Sequence, residues 1–173
     1  MRVNLSLLRR LAVLAALVLL PFATADAQQP RIERLEIIGA GFLSYVQAGE
    51  RTDAPDAVGN KIIRPWNMQF IGDPPAATAR VGTSFGVRYL VVGEPRLADV
   101  KLRTVWKIPA PGFTDPKSGK TYTESAADVM TQIGTAHLSG YGFSETWEVV
   151  PGTWVLQIWD GDRMLLQHQF AIR

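Results

Sequence analysis

Residues 100–108 alternate without a break, and that pattern limits the fold more than any other feature of the chain. Val100, Leu102, Thr104, Trp106 and Ile108 fall on one face of an extended segment; Lys101, Arg103, Val105 and Lys107 fall on the other. Side chains of a strand point alternately to its two faces, so this is a half-buried β-strand. Other apolar segments at 31–38, 87–92, 143–150, 153–159 and 163–172 also read as strands. Breaks containing glycine or proline separate them, among them Gly93-Glu94-Pro95, Pro151-Gly152 and Asp160-Gly161. Fifteen glycines and eleven prolines punctuate the chain too often for long helices. Many short strands, frequent turns and little helix predict an all-β antiparallel sandwich of about seven or eight strands.

Four segments are less regular. Residues 47–60, rich in Gly, Asp, Ala and Pro, read as a loop, and 109–119 as a long Pro/Gly loop. Residues 62–71 are apolar but hold Pro65, which confines them to an edge or bulged strand; Pro74-Pro75 then breaks the chain. Residues 125–133 read as one short helix, with Ser125 as cap, Asp128 three residues on and Gly134 as stop. The C-terminal hairpin can be argued by parity. A two-residue Asp-Gly loop would set Trp154, Leu156 and Ile158 beside Arg163, Leu165 and Gln167. A three-residue loop, Trp159-Asp160-Gly161, sets them beside Met164, Leu166, Phe170 and Ile172 instead, with Gly161 at a left-handed position. The second arrangement gives one continuous apolar face and is the one expected.

The chain opens with Arg2, Arg9 and Arg10, an apolar run from Leu11 to Leu20, Pro21, and small residues ending in Ala25-Asp26-Ala27. This is the pattern of a secretory signal peptide over 1–27, too short to span a bilayer. The rest, 28–173, is expected to form a single soluble domain, periplasmic or secreted. It has no cysteine, so it must hold together by its core rather than by disulfides. The formal charge is +2, and the leader alone carries three arginines against one aspartate. The mature part is therefore neutral and lacks the basic footprint of a nucleic-acid binder.

Three stretches resemble an uncharacterised bacterial family of exported proteins, domain of unknown function 3859. They are Ala79-Arg80-Val81-Gly82-Thr83-Ser84-Phe85-Gly86-Val87-Arg88-Tyr89, then Asp115-Pro116-Lys117-Ser118-Gly119-Lys120-Thr121-Tyr122, then Gly140-Tyr141-Gly142-Phe143 running on to Trp147-Glu148-Val149-Val150-Pro151-Gly152-Thr153-Trp154 and Gln157-Ile158-Trp159. The resemblance spans the chain from Ala76 onward and is most specific in the last block. It implies an immunoglobulin-like sandwich, and no activity or functional residues.

Motifs that suggest chemistry each have a plainer explanation. Gly82-Thr83-Ser84-Phe85-Gly86 matches a nucleophile elbow, but the elbow needs a helix after it and strand-like residues 87–92 follow. Ser118-Gly119-Lys120-Thr121 ends like a phosphate-binding loop, but Thr114 stands where the motif needs its first glycine. His137 and His168 are the only histidines; without cysteine they make no zinc site. Glu145 and Glu148, three apart on an expected strand, would point to opposite faces and could not converge as a catalytic pair. Asp160 and Asp162 flank a turn glycine. The Lys101, Arg103, Lys107 stripe is expected to be a solvated face paired with glutamates such as Glu148.

Of five tryptophans, Trp106, Trp147 and Trp154 have core parity. Trp66 and Trp159 are expected nearer the surface, where with Phe113 and Tyr141 they would offer a stacking or protein-contact surface. The expected function is a non-enzymatic binding or assembly module that meets an envelope or extracellular protein partner through β-edges or loops. The alternatives are a carbohydrate-binding module using Trp66 and Trp159, and a hydrolase using Ser84. No catalytic residue, cofactor, metal, nucleic acid or membrane span is expected, and nothing fixes the oligomeric state. Intact-mass measurement on protein from its native compartment should give a chain beginning at Gln28; a mass retaining 1–27 would contradict the export reading.

Overall fold

The computed structural model describes residues 29–44, 47–66, 68–72 and 78–173. The leader and the Pro74-Pro75 break lie outside the described residues, as does the side chain of Trp66. Twelve strands follow in chain order: β1 (Arg31–Ser44), β2 (Gln47–Asp53), β3 (Lys61–Trp66), β4 (Gln69–Gly72), β5 (Ser84–Glu94), β6 (Asp99–Lys107), β7 (Phe113–Thr114), β8 (Thr121–Tyr122), β9 (Glu124–Gln132), β10 (Ala136–Gly142), β11 (Gly152–Asp160) and β12 (Arg163–Ile172). Eight of them build two four-stranded sheets, ordered β10-β5-β1-β4 and β12-β11-β6-β9, and the pairs β2-β3 and β7-β8 form small ribbons. Every pairing is antiparallel.

The inward faces of the two sheets make one core. From β5 come Phe85, Val87, Tyr89 and Val91, from β6 Leu102 and Trp106, and from β11 Trp154, Leu156 and Ile158. Phe85 is the hub of its aromatic part. Its ring lies 5.4 Å from Trp106, 5.7 Å from Phe143, 5.8 Å from Trp154 and 5.1 Å from Phe170, the first three edge to face. Edge-to-face pairs set the positive ring rim against the negative face, a gain beyond the buried area. Trp154 is 0% exposed, and its indole N–H donates to the Val150 carbonyl at 2.9 Å. On the flank where β12 meets β1, Arg163 donates to the carbonyls of Ile32 and Glu33.

Sequence expectation and structure part at four places. Residues 125–133 are not a helix but strand β9, paired with β6 from Asp99↔Gln132 to Lys107↔Glu124. Ala127, Thr131 and Ile133 are buried while Asp128, Met130 and Gln132 are exposed, a period of two that helix-capping residues at either end conceal. Gly134, with φ of 81°, serves the turn into β10 instead of a helix stop. Residues 47–53, expected as loop, form β2, and only 54–60 remain loop-like. Residues 143–150 are not a strand. They carry a 3-10 turn at Thr146–Glu148, after a strand that runs earlier, Ala136–Gly142.

The C-terminal hairpin keeps the expected face by a different route. Trp154 pairs with Phe170, Ile158 with Leu166, and Gly152 with Ile172, all inward. The loop, however, is two residues, Gly161-Asp162, closed by Asp160↔Arg163. A bulge between Ile158 and Trp159 restores the parity that a two-residue loop would have lost. Met164 then pairs with Trp159 and is 45% exposed, outside the core. Gly161 has φ of 57°, at the first central position where a type II′ turn takes glycine.

A row of glycines crosses the first sheet. Gly41 pairs with Gly86, and Gly86 with Gly140. A Cβ on Gly86 would stand 2.5 Å from the Ser139 carbonyl oxygen, and one on Gly140 3.1 Å from Leu43 Cδ1. The Leu43 side chain occupies the shallow trough that the row leaves and is itself buried.

Urea unfolding of hairpin variants checks the face assignment. Trp154→Ala should cost ~3–5 kcal/mol, as large-to-small changes in a packed core do. Gln169→Ala, on the exposed face, should stay within ~0.5 kcal/mol of wild type. Gly161→Val, with open space around the site but a positive φ, should cost ~1–2 kcal/mol. Equal losses in Trp154→Ala and Gln169→Ala would show the face to be misassigned.

Candidate functional site

β9 and β10 are consecutive in the chain but belong to opposite sheets, each as an end strand. The turn that joins them therefore leaves one flank of the sandwich without a strand bridging the sheets. A recess of about 530 Å³ opens there. Its walls come from both faces of β9 and β10 and from Thr104 and Trp106 of β6, with Ile62, Ile63 and Met68 from the region of β3 and Ala57 and Val58 from the preceding loop. That loop is fastened to β9. Ala126 N–H donates to the Asp56 carbonyl at 3.0 Å, Val58 N–H donates to Ser125 Oγ at 3.0 Å, and Arg103 reaches Asp56 at 2.8 Å. Ala54, Ala57 and Ala127 pack together under it.

Alternation along β10 aims His137, Ser139 and Tyr141 inward, opposite Tyr89, Val87 and Phe85 of β5. His137 marks one end of the recess. Thr135 Oγ1 lies 2.6 Å from its Nε2, and Gln132 N–H donates to the same atom at 3.4 Å. Thr131, only 4% exposed, lines this end. Tyr141 and Glu148 mark the other end, Tyr141 about 14 Å further along the strand at ~3.4 Å per residue. Among the described residues, two oxygens of lining side chains, Thr131 Oγ1 and the Tyr141 hydroxyl, have no hydrogen-bond partner, and both are sealed from the recess itself. Buried polar atoms are rarely left so, because desolvation without a partner costs free energy.

Glu148 is 7% exposed and works inside its own segment. Its Oε2 accepts the Ser144 N–H at 2.6 Å and the Glu145 N–H at 3.1 Å, which caps the 3-10 turn, while Glu145 caps from the other side. Burial pushes its carboxyl above the ordinary glutamate value, against the pull of those two donors. Burial, and then the nearby Glu148 charge, push the Tyr141 hydroxyl far up, so it stays protonated and able to donate. Burial raises Tyr89 to about 12.

Of the residues singled out from sequence, Phe113 and Tyr141 lie inside and Trp159 stands apart from them. Phe113 is buried, in contact with Tyr122, Trp147 and Trp154. Tyr141 lies inside, 4.8 Å from the Trp154 ring. Phe113 and Tyr141 thus meet around Trp154 in the interior. Trp159 is half-buried on the opposite, outward parity of β11, paired with Arg103 and Met164. Ser84 is the first residue of β5, so its backbone forms a loop-to-strand junction and not an elbow before a helix. The stretch 115–120 is a turn between β7 and β8, where Asp115 accepts from Lys117 N–H at 2.8 Å and from the Ser118 hydroxyl at 2.7 Å. The basic stripe is paired, but with other acids than expected. Lys101 meets Asp128 at 3.4 Å, Arg103 meets Asp56 and Asp128, and Lys107 meets Glu124. His168 stacks edge to face on Phe170 at 4.8 Å.

Among the described residues no group of three or more His, Asp or Glu side chains stands close enough to hold a metal, and no helix is long and apolar enough to cross a membrane. Sequence reasoning missed Thr131, and it weighed Glu148 as half of a carboxylate pair and as a partner of the basic stripe without finding its capping role. The signals were the alternation of 127–133 and the Glu145-x-x-Glu148 spacing of a capping box, both masked by the wrong element assignment.

Two antiparallel sheets with one continuous aromatic core define an immunoglobulin-like β-sandwich. The chain belongs to the family described as Domain of unknown function (DUF3859), whose profile matches residues 49–172, a longer span than the resemblance from Ala76 onward. An immunoglobulin-like protein from Pseudomonas aeruginosa is similar in structure, with a TM-score of 0.52 and 23% identity over 80% of this chain and 96% of that one. The β-D-glucoside glucohydrolase of Trichoderma reesei matches over 81% of this chain and 19% of its own, with 12% identity and a TM-score of 0.36, too low to bear on the fold or function. No curated protein matches the chain.

The raised Glu148 carboxyl sets a pH dependence. Because the folded state holds this proton more tightly than the unfolded chain, stability falls as pH rises from the ordinary glutamate value of 4.5 through the raised one, and then levels. Urea midpoints of wild type should fall across that window, and Glu148→Gln should flatten that part of the profile. An identical slope in the variant would assign the dependence elsewhere.

Proposed function

We propose that this protein is an exported, soluble, non-enzymatic binding module, and that its ligand enters the recess between β9 and β10. The observation that carries this reading is the recess itself: the end strands of the two sheets bound it, and its lining mixes apolar walls with a few polar groups. Pockets of 300–1,000 Å³ with that lining are the usual form of small-ligand sites. Export rests on the arginine-led apolar leader. The non-catalytic role rests on Ser84 standing in a strand and on Glu148 being used to cap its own turn.

A second reading keeps a protein partner in the envelope. It draws on β10 being an end strand, to which an extended segment can add by main-chain hydrogen bonds. One experiment separates the two. Protein purified from its native compartment is examined by native mass spectrometry, beside Val129→Trp, which fills the recess from its half-buried wall. Wild type should retain a bound small mass and the variant should lose it. Equal retention by both would remove the recess as the site, and a partner of protein mass held by both would favour the edge-strand reading.

A further inference from the structure

The sheet that gives β9 to the recess ends at its far side in β12. That strand pairs with β11 and, among the described residues, with no strand on its outer edge. The other end strands carry devices that keep sheet edges from pairing. β4 is four residues long. β9 bears Glu124 and Asp128 and is fastened to the loop at Asp56 and Val58. β10 is weakened by Gly140 and Gly142. β12 has none of these. It is ten residues long, pairs regularly with β11 from Leu166 to Ile172, and has neither charge nor proline between Arg163 and Arg173. The hydrogen bonds that reach it from outside the hairpin fall at its ends: Arg163 donates to the Ile32 and Glu33 carbonyls, and Ala79 N–H donates to the Arg173 carbonyl.

The middle of β12 reads Leu166-Gln167-His168-Gln169-Phe170, the same classes of side chain in either direction from His168. Leu166 and Phe170 are buried, while Gln167 and Gln169 are exposed on the other face. Two antiparallel copies about a twofold axis at His168 therefore set Leu166 opposite Phe170 of the second copy, and Gln167 opposite Gln169 of the second copy. Each polar side chain is its own complement, because a carboxamide and a neutral imidazole both donate and accept. Gln157 Nε2 already donates to Gln167 Oε1 at 3.0 Å, which leaves the Gln167 amide nitrogen to carry the row across the axis. Arg163 and Arg173 would come opposite each other only at the rim, about 17 Å from the axis at ~3.4 Å per residue. Arg163 is already held there by Asp160 and the two carbonyls. We propose that β12 is a self-association edge: two copies of this chain join through it, antiparallel about His168, and fuse their β12-β11-β6-β9 sheets into one.

Sedimentation equilibrium of the purified protein tests this with paired charges on the exposed face. Wild type should approach twice the chain mass as its concentration rises. Gln167→Lys combined with Gln169→Lys sets lysine against lysine at both symmetry-related points and should weaken the dimer about tenfold. Gln167→Lys combined with Gln169→Glu sets lysine against glutamate at the same points and should keep the dimer at least as tight as wild type. The two variants change the same exposed sites, and far-UV circular dichroism should match wild type in both, which separates lost contact from lost fold. A wild type that stays monomeric would overturn the proposal, as would equal dimer strength in the two variants. A monomeric wild type that instead carries a different protein, released by the lysine pair, would give the edge to another partner and overturn self-association. None of these outcomes bears on the recess, which is bounded by β9 and β10 and has its own test in Val129→Trp.

Discussion

One side chain ties the sandwich to its recess. Trp154 is wholly enclosed, and an enclosed indole N–H needs an acceptor. It finds one four residues back, at the Val150 carbonyl. That bond draws 145–152 over the end of the core. The same fold-back tightens 146–148 into a 3-10 turn, and the turn turns Glu148 inward to sit near Tyr141. Gly152 makes the approach possible: a Cβ there would stand 2.7 Å from Pro109. The Trp154–Val150 bond thus links the core to the segment that carries Glu148.

Strands that alternate against both neighbours were legible in sequence. β6, β11 and β12 show it, and the inward set of Trp154, Leu156, Ile158, Leu166, Phe170 and Ile172 follows from parity alone. The loop that delivers that parity was not legible, because a bulge and a longer loop have the same effect on which side chains face inward. β9 was misread for a different reason. Ala126, Ala127 and Met130 favour a helix locally, and pairing with β6 overrides them. Propensity is a weak prior wherever a complementary strand is waiting.

The recess was illegible for a topological reason. Its two principal walls are neighbours in sequence and would ordinarily pair as a hairpin. Here the turn at 133–135 hands the chain from one sheet to the other, so their inward faces look at one another across a gap. No spacing rule within either strand reports that. Two residues of the expected surface, Phe113 and Tyr141, stand in the interior for the complementary reason. Phe113 and Tyr141 are large enough to be drawn into the aromatic interior around Phe85 and Trp154, where their area counts most.

The glycine row has a meaning for fidelity of assembly. A sheet registers its strands through the face that meets the core, and its other face usually adds little. Here the other face carries a notch where Gly86 and Gly140 pair, and Leu43 fits it because a Cβ on either would stand 3.0 or 3.1 Å from its Cδ1. A slip of one residue would bring Phe85 and Tyr141 into the notch and eject the leucine. The sheet is therefore keyed on both sides, so that a misaligned pairing is penalised twice before the second sheet has even docked.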